Sequence, residues 1–153
     1  MFTAYGDSLE IFAEIGKLHA GEESFILAHI TKLSNYKPLD VPEVQFTLNI
    51  AGSPTQFTAK KDKPGIYRCH FTPAKGGKGE FVCKAQIGEK ETTVSFPVNV
   101  CEAGHHHHET EAGHEHGSNM VSFPKEQSWK IDFATETVMP RTINSVVKGV
   151  ATV

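Results

Sequence analysis

The chain has 153 residues, with 15 Lys and Arg, 18 Asp and Glu and nine His, for a formal net charge of −3. No net positive field is available to release counterions from nucleic acid, so no nucleic-acid partner is expected. No apolar run approaches the ~18 residues of a membrane-spanning helix, and the 39% hydrophobic content is that of an ordinary globular domain.

The length allows one core of ~100 residues plus appendages. The opening residues, MFTAYGDSLE, have neither the basic nor the apolar region of a signal peptide. The last residues, VKGVATV, read as a strand just starting, so we expect a portion of a longer protein.

Strand-like runs fill the first zone. They fall at Leu9–Ile15, Phe25–Leu33, Val44–Ile50, Gln56–Ala59, Ile66–Phe71, Gly79–Ile87 and Thr92–Val100. Turn residues stand between them, among them Ala51-Gly52-Ser53-Pro54 and Lys63-Pro64-Gly65. Seven short strands at a spacing of roughly ten residues predict an all-β, Ig-like β-sandwich over residues 1–100. One hairpin is expected in detail. Tyr67, Cys69 and Phe71 face Ala85, Cys83 and Phe81 across the Gly-rich turn 72–78, on the core side. Arg68, His70 and Lys84 then point outward.

Residues 101–119 form a linker almost without large apolar side chains, and they hold six of the nine histidines. Residues 120–153 become apolar again. A short helix is predicted from Phe123 to about Ile131, where Pro124 suits a first turn. Phe133–Val138 and Thr142–Val153 read as an extended tail, broken at Pro140.

Chemistry concentrates in the linker. Neutral imidazole is a strong ligand for zinc, copper, nickel and cobalt. His105, His106, His107, His108, His114 and His116 supply it, and Glu109, Glu111 and Glu115 add hard oxygen ligands. Gly and Ala between them suit a loose chelator of several stoichiometries rather than a preformed four-ligand site. A histidine run can also be an expression tag, and Gly117-Ser118-Asn119-Met120 resembles a cloning scar. Only four of these histidines are consecutive, however, and they lie inside the chain among glutamates. An inert solvated spacer is the other alternative.

Cys101 is either a further metal ligand or a free thiol at a strand end. Cys69 and Cys83 read as small buried hydrophobes or as a cross-strand disulfide. His29 shares the strand side of Phe25 and Leu27, and isolated strand histidines of this kind are more often structural or surface residues than ligands. Trp129 reads as packing. The chain lacks GxSxG, HExxH, a Gly-rich phosphate loop and CxxC, so no enzymatic activity is expected.

The order of pieces resembles a known family. Ser8-Leu9-Glu10-Ile11-Phe12-Ala13-Glu14, then Phe25-Ile26-Leu27-Ala28-His29-Ile30-Thr31-Lys32-Leu33, is similar to the N-terminal module of periplasmic adaptor subunits of RND heavy-metal efflux pumps. These adaptors are membrane fusion proteins of the HlyD type. Pro64-Gly65-Ile66-Tyr67-Arg68 looks like the family's "P-G-I-F/Y-R" turn and strand. Phe123-Pro124-Lys125-Glu126-Gln127-Ser128-Trp129-Lys130-Ile131-Asp132-Phe133-Ala134-Thr135-Glu136 resembles its "F-x-K-E-Q-x-W-K-I-D-F-A-T-E" segment, which follows a His- and Glu-rich linker in many relatives.

The resemblance implies a periplasmic adaptor, membrane-anchored and homo-oligomeric in the full-length protein. Its partners would be an inner-membrane RND pump and an outer-membrane channel. Residues 120–153 would begin the adaptor's barrel and lipoyl region. The bound cargo would be a divalent transition metal: zinc, cobalt, nickel, cadmium or copper. The family's copper and silver members use methionines near the N-terminus, a pattern absent here, so the other branch is the closer likeness. The alternative is an Ig-like protein–protein docking module with an inert His-rich spacer.

Overall fold

The computed structural model describes residues 1–102, 124–132 and 139–140. Strands form where the sequence alternates. In chain order they are β1 (Phe2–Tyr5), β2 (Leu9–Ile15), β3 (Ser24–Lys32), β4 (Lys37–Pro38), β5 (Glu43–Ile50), β6 (Ser53–Lys63), β7 (Ile66–Phe71), β8 (Gly77–Ile87) and β9 (Lys90–Val100). A single helical turn, α1 (Lys125–Ser128), follows. The alternation is cleanest in β9, where Thr92, Val94, Phe96, Val98 and Val100 are buried between exposed neighbours. A period of two places these residues on one face of the sheet.

All strand pairs are antiparallel, in the order β1-β2-β3-β7-β6-β5-β8-β9, with β4 paired to the far end of β3. The sheet rolls on itself into an all-β sandwich of barrel-like form. The corner is β6. Its first part pairs with β5, its last residues pair with β7, and a register shift separates Lys61 from Lys63. Strands that switch layers at a bulge make such corners. The two ends of the sheet also meet. The Phe2 ring stacks on Phe96 with centroids 5.6 Å apart. Gly6 permits the approach, because a Cβ there would stand 2.7 Å from the Thr93 carbonyl oxygen.

Aromatic rings fill the middle. Phe57 stacks on Phe71 at 4.6 Å, and Phe81 meets Phe46, Phe57 and Phe71 edge-on. Edge-to-face pairs suit the ring quadrupoles. Tyr67 is fully buried, and its hydroxyl is nevertheless satisfied. It accepts from the Val41 amide at 3.1 Å and lies 3.0 Å from Leu39 O and 3.1 Å from Val41 O, to one of which it donates. The phenol thereby fastens the β4–β5 connection to the core.

The expected β7–β8 hairpin is not formed. β7 pairs with β3 and β6, while β8 pairs with β5 and β9. The sidedness of its residues is as expected. Tyr67, Phe71, Phe81, Cys83 and Ala85 are buried, Cys69 packs against the core, and Arg68, His70 and Lys84 are exposed. Phe71 and Phe81 do meet, at 5.4 Å, but across the core rather than along a ladder. Two strands beyond the expected seven are present, β1 and β4. The predicted helix at 123–131 is shorter, with Pro124 as its N-cap residue and Lys125 as its first helical one. The extended tail expected at 133–138 and 142–153 lies outside the described residues.

Candidate functional site

The His-rich stretch leaves the sandwich at the end of β9. Cys101 forms a parallel bridge with His19 in the β2–β3 connection. Its amide donates to Leu18 O at 2.8 Å, and its carbonyl accepts from the Ala20 amide at 2.9 Å. Glu102 packs on Gly76, where an added Cβ would sit 2.6 Å from the Glu102 carboxyl carbon. The exit is therefore fixed to the body by backbone hydrogen bonds.

The chain is held again from Pro124 onward. Pro124 is in extended backbone at ψ 149, and Ser128 closes the single turn by donating to Lys125 O at 2.7 Å. This turn lies on the outer face of β2 and β3. There Glu10, Phe12, His29 and Thr31 sit side by side, since Glu10 opposes Thr31 and Phe12 opposes His29. Lys125 Nζ pairs with the buried Glu10 carboxylate, which also accepts from the Tyr5 hydroxyl at 3.3 Å. That carboxylate pushes the Tyr5 phenol above its ordinary pKa.

Trp129 is the centre of the contact and is 9% exposed. Its Nε1 donates to Thr31 Oγ1 at 2.9 Å. Its ring lies over Gly65, at which a Cβ would come within 2.5 Å of the indole and 2.6 Å of Pro38 Cβ. Gly65 also holds φ +80, a backbone region that glycine adopts without strain. Lys37 Nζ donates to Ile131 O at 2.9 Å and stands 3.7 Å from Asp132. His29 is enclosed between Phe12, at 5.7 Å, and Trp129, at 6.2 Å. Its Nδ1 lies 3.5 Å from Glu126 Oε1 yet makes no hydrogen bond, so distance alone defines that pair.

Of the candidate metal ligands, Cys101 alone is among the described residues. It is half-buried beside His19. His105, His106, His107, His108, His114, His116, Glu109, Glu111 and Glu115 lie outside them. Among the described residues no group of three His, Cys, Asp or Glu side chains could hold a metal ion. What the described residues do supply is anchorage. The 21 residues of 103–123 are connected at both ends to the same sandwich, through Cys101 and Glu102 on one side and the Trp129 contact on the other. The three cysteines are free thiols. Burial pushes the Cys69 thiol up to about 11 and the Cys83 thiol up to about 12.

Sequence reasoning read Trp129 as packing, which it is, but did not find its partner surface. A signal was present. The outward side of β2 and β3 carries Phe12 beside His29, an apolar patch that the segment at 124–132 covers, whereas Phe25 further along stays exposed.

No protein-family model matches this chain. No curated protein matches it either. Among solved structures, the chain is similar to the CARDB domain of the PF1109 protein from Pyrococcus furiosus, crystallised in complex with di-metal ions. Identity is 15% and the TM-score 0.36, over 67% of this chain and 98% of that one.

Proposed function

We propose that this chain is a metal-capturing module of a periplasmic adaptor of the HlyD type, serving an RND pump that exports divalent heavy-metal cations. The observation that carries the reading is the run of six histidines among glutamates at 105–116, bounded by two anchored ends. The motif likeness at residues 8–33, 64–68 and 123–136 supports the family. The chain binds and does not catalyse.

The chemistry follows from the ligands. His105 to His108, His114 and His116 take up the ion, with Glu109, Glu111, Glu115 or Cys101 completing its shell. Many weak, overlapping ligand sets bind the ion without trapping it, which suits a cargo that must be handed on. Anchoring both ends keeps the captured ion close to one body, raising its effective concentration there. The metal is cargo, and pump and outer-membrane channel are the partners.

Deleting Gly104 to His116 tests this against a docking module with an inert spacer. The expected outcome is loss of zinc and nickel binding, measured by equilibrium dialysis, with the sandwich still folded. A deletion protein that keeps full metal binding would overturn the proposal.

A further inference from the structure

One mouth of the rolled sheet is built differently from the rest of the core. Inward positions along β3 run Ile26, Ala28, Ile30 and then Lys32. Along β8 they run Phe81, Cys83, Ala85 and then Ile87. On β9 the run Val100, Val98, Phe96 and Val94 ends in Thr92 and Lys90, the last directly opposite Ile87. At this last layer β3 contributes Lys32 and β9 contributes Thr92 and Lys90, while β8 keeps an apolar residue, Ile87. Ser8 from the β1–β2 turn and Ser34 from the β3–β4 turn complete the rim. Together these six residues enclose a cavity of about 230 Å³.

The lining has a definite sign. It carries two cations, three hydroxyls and no carboxylate. Among the described residues neither Lys32 nor Lys90 has an ion-pair partner. The nearest acid on β9, Glu91, is directed to the outer face and engages Lys84 at 3.3 Å. Asp7 and Glu89 are exposed and do not line the cavity. Two like charges at one mouth repel, and the lining places no carboxylate between them. An anion between them removes the repulsion, and the hydroxyls donate to its oxygens. Barrel mouths are common ligand sites for this geometric reason.

We infer that this mouth is a binding site for a phosphate-type oxyanion, with Lys32 and Lys90 as the charge partners and Ser8, Ser34 and Thr92 as hydroxyl donors. A free phosphate and an anionic phospholipid headgroup share this chemistry. The site does not depend on the metal reading and stands if that reading fails.

The test uses the full chain, isotopically labelled, titrated with sodium phosphate against sodium chloride at matched ionic strength. Saturable amide shifts centred on Ser8, Ser34, Lys90 and Thr92 are expected. Lys32→Gln and Lys90→Gln should each weaken binding about tenfold. Both lysines stand at the mouth, so the variants should keep the native spectrum elsewhere. Co-sedimentation with phosphatidylglycerol vesicles, compared with phosphatidylcholine vesicles, separates the sources. Binding to the anionic vesicles that is lost in the variants assigns a lipid headgroup, and phosphate shifts without vesicle binding assign a free oxyanion. Neither phosphate shifts nor vesicle preference, or effects unchanged in both variants, would overturn the inference.

Discussion

Cys83 and Tyr67 show how single buried groups set measurable properties. The thiols of Cys69 and Cys83 are raised from 9.0 to about 11 and about 12 by burial, so the fold holds their neutral forms. A raised thiol pKa contributes stability that is complete below pH 9.0 and is lost as pH climbs through the folded values. Thermal melts should therefore show a fall in stability above about pH 9 that Cys83→Ala abolishes in part. Alkylation near neutral pH should leave Cys83 untouched until the chain is denatured. A Cys83 that reacts rapidly in the native state would contradict its burial. At Tyr67, removing the hydroxyl orphans the Val41 amide. Tyr67→Phe should cost about 1–2 kcal/mol in denaturant unfolding, and a neutral result would mean that water replaces the phenol.

At the scale of elements, the Pro124–Asp132 segment is held by contacts that a four-residue helix could not supply alone, since isolated turns of this length do not persist in water. Trp129 is the sole tryptophan, so its emission reports the contact directly. The native chain should emit at short wavelength. Gly65→Ala places a methyl where the indole and Pro38 already stand, at a positive φ that disfavours alanine. It should shift the emission to the red and lower stability by about 2 kcal/mol. Unchanged emission would mean that the ring lies elsewhere.

The elements also show what the sequence made legible. Leu9–Ile15 and Ile66–Phe71 match β2 and β7, because alternation and flanking turns fix a strand locally. β1 and β4 escaped because they are short and exist through their neighbours, β4 by pairing two residues to β3. The β7–β8 pairing failed for a related reason. A Gly-rich turn between two alternating runs reads as a hairpin, but Gly21 of the β2–β3 connection engages this turn. Its amide donates to Pro73 O at 2.8 Å, tying the turn to the β2–β3 connection, and the chain crosses to the other layer. Face could be read from local period, whereas partner required the whole sheet. The Trp129 contact spans 98 residues of sequence, so an apolar outward face can be read locally but the segment that covers it cannot. The His-rich segment was legible by composition alone, and its candidate ligands His105 to His116 lie outside the described residues.

In the whole molecule a rolled sheet, packed around Phe46, Phe57, Phe71 and Phe81, holds the chain on either side of the histidine segment, at 101–102 and at 124–132. In the proposed reading the sheet is the frame and the segment supplies the ligands. Imidazole must be neutral to bind metal, so affinity should be high at about pH 7.5 and largely lost near pH 5.5. The most direct test of the central claim is calorimetric titration of the full chain with zinc, nickel, cobalt and copper(II) at both pH values, beside a variant in which His105 to His108, His114 and His116 are alanine. Micromolar or tighter binding is expected at the higher pH, disappearing in the variant and on acidification. No binding, or binding that survives the six substitutions, would contradict it.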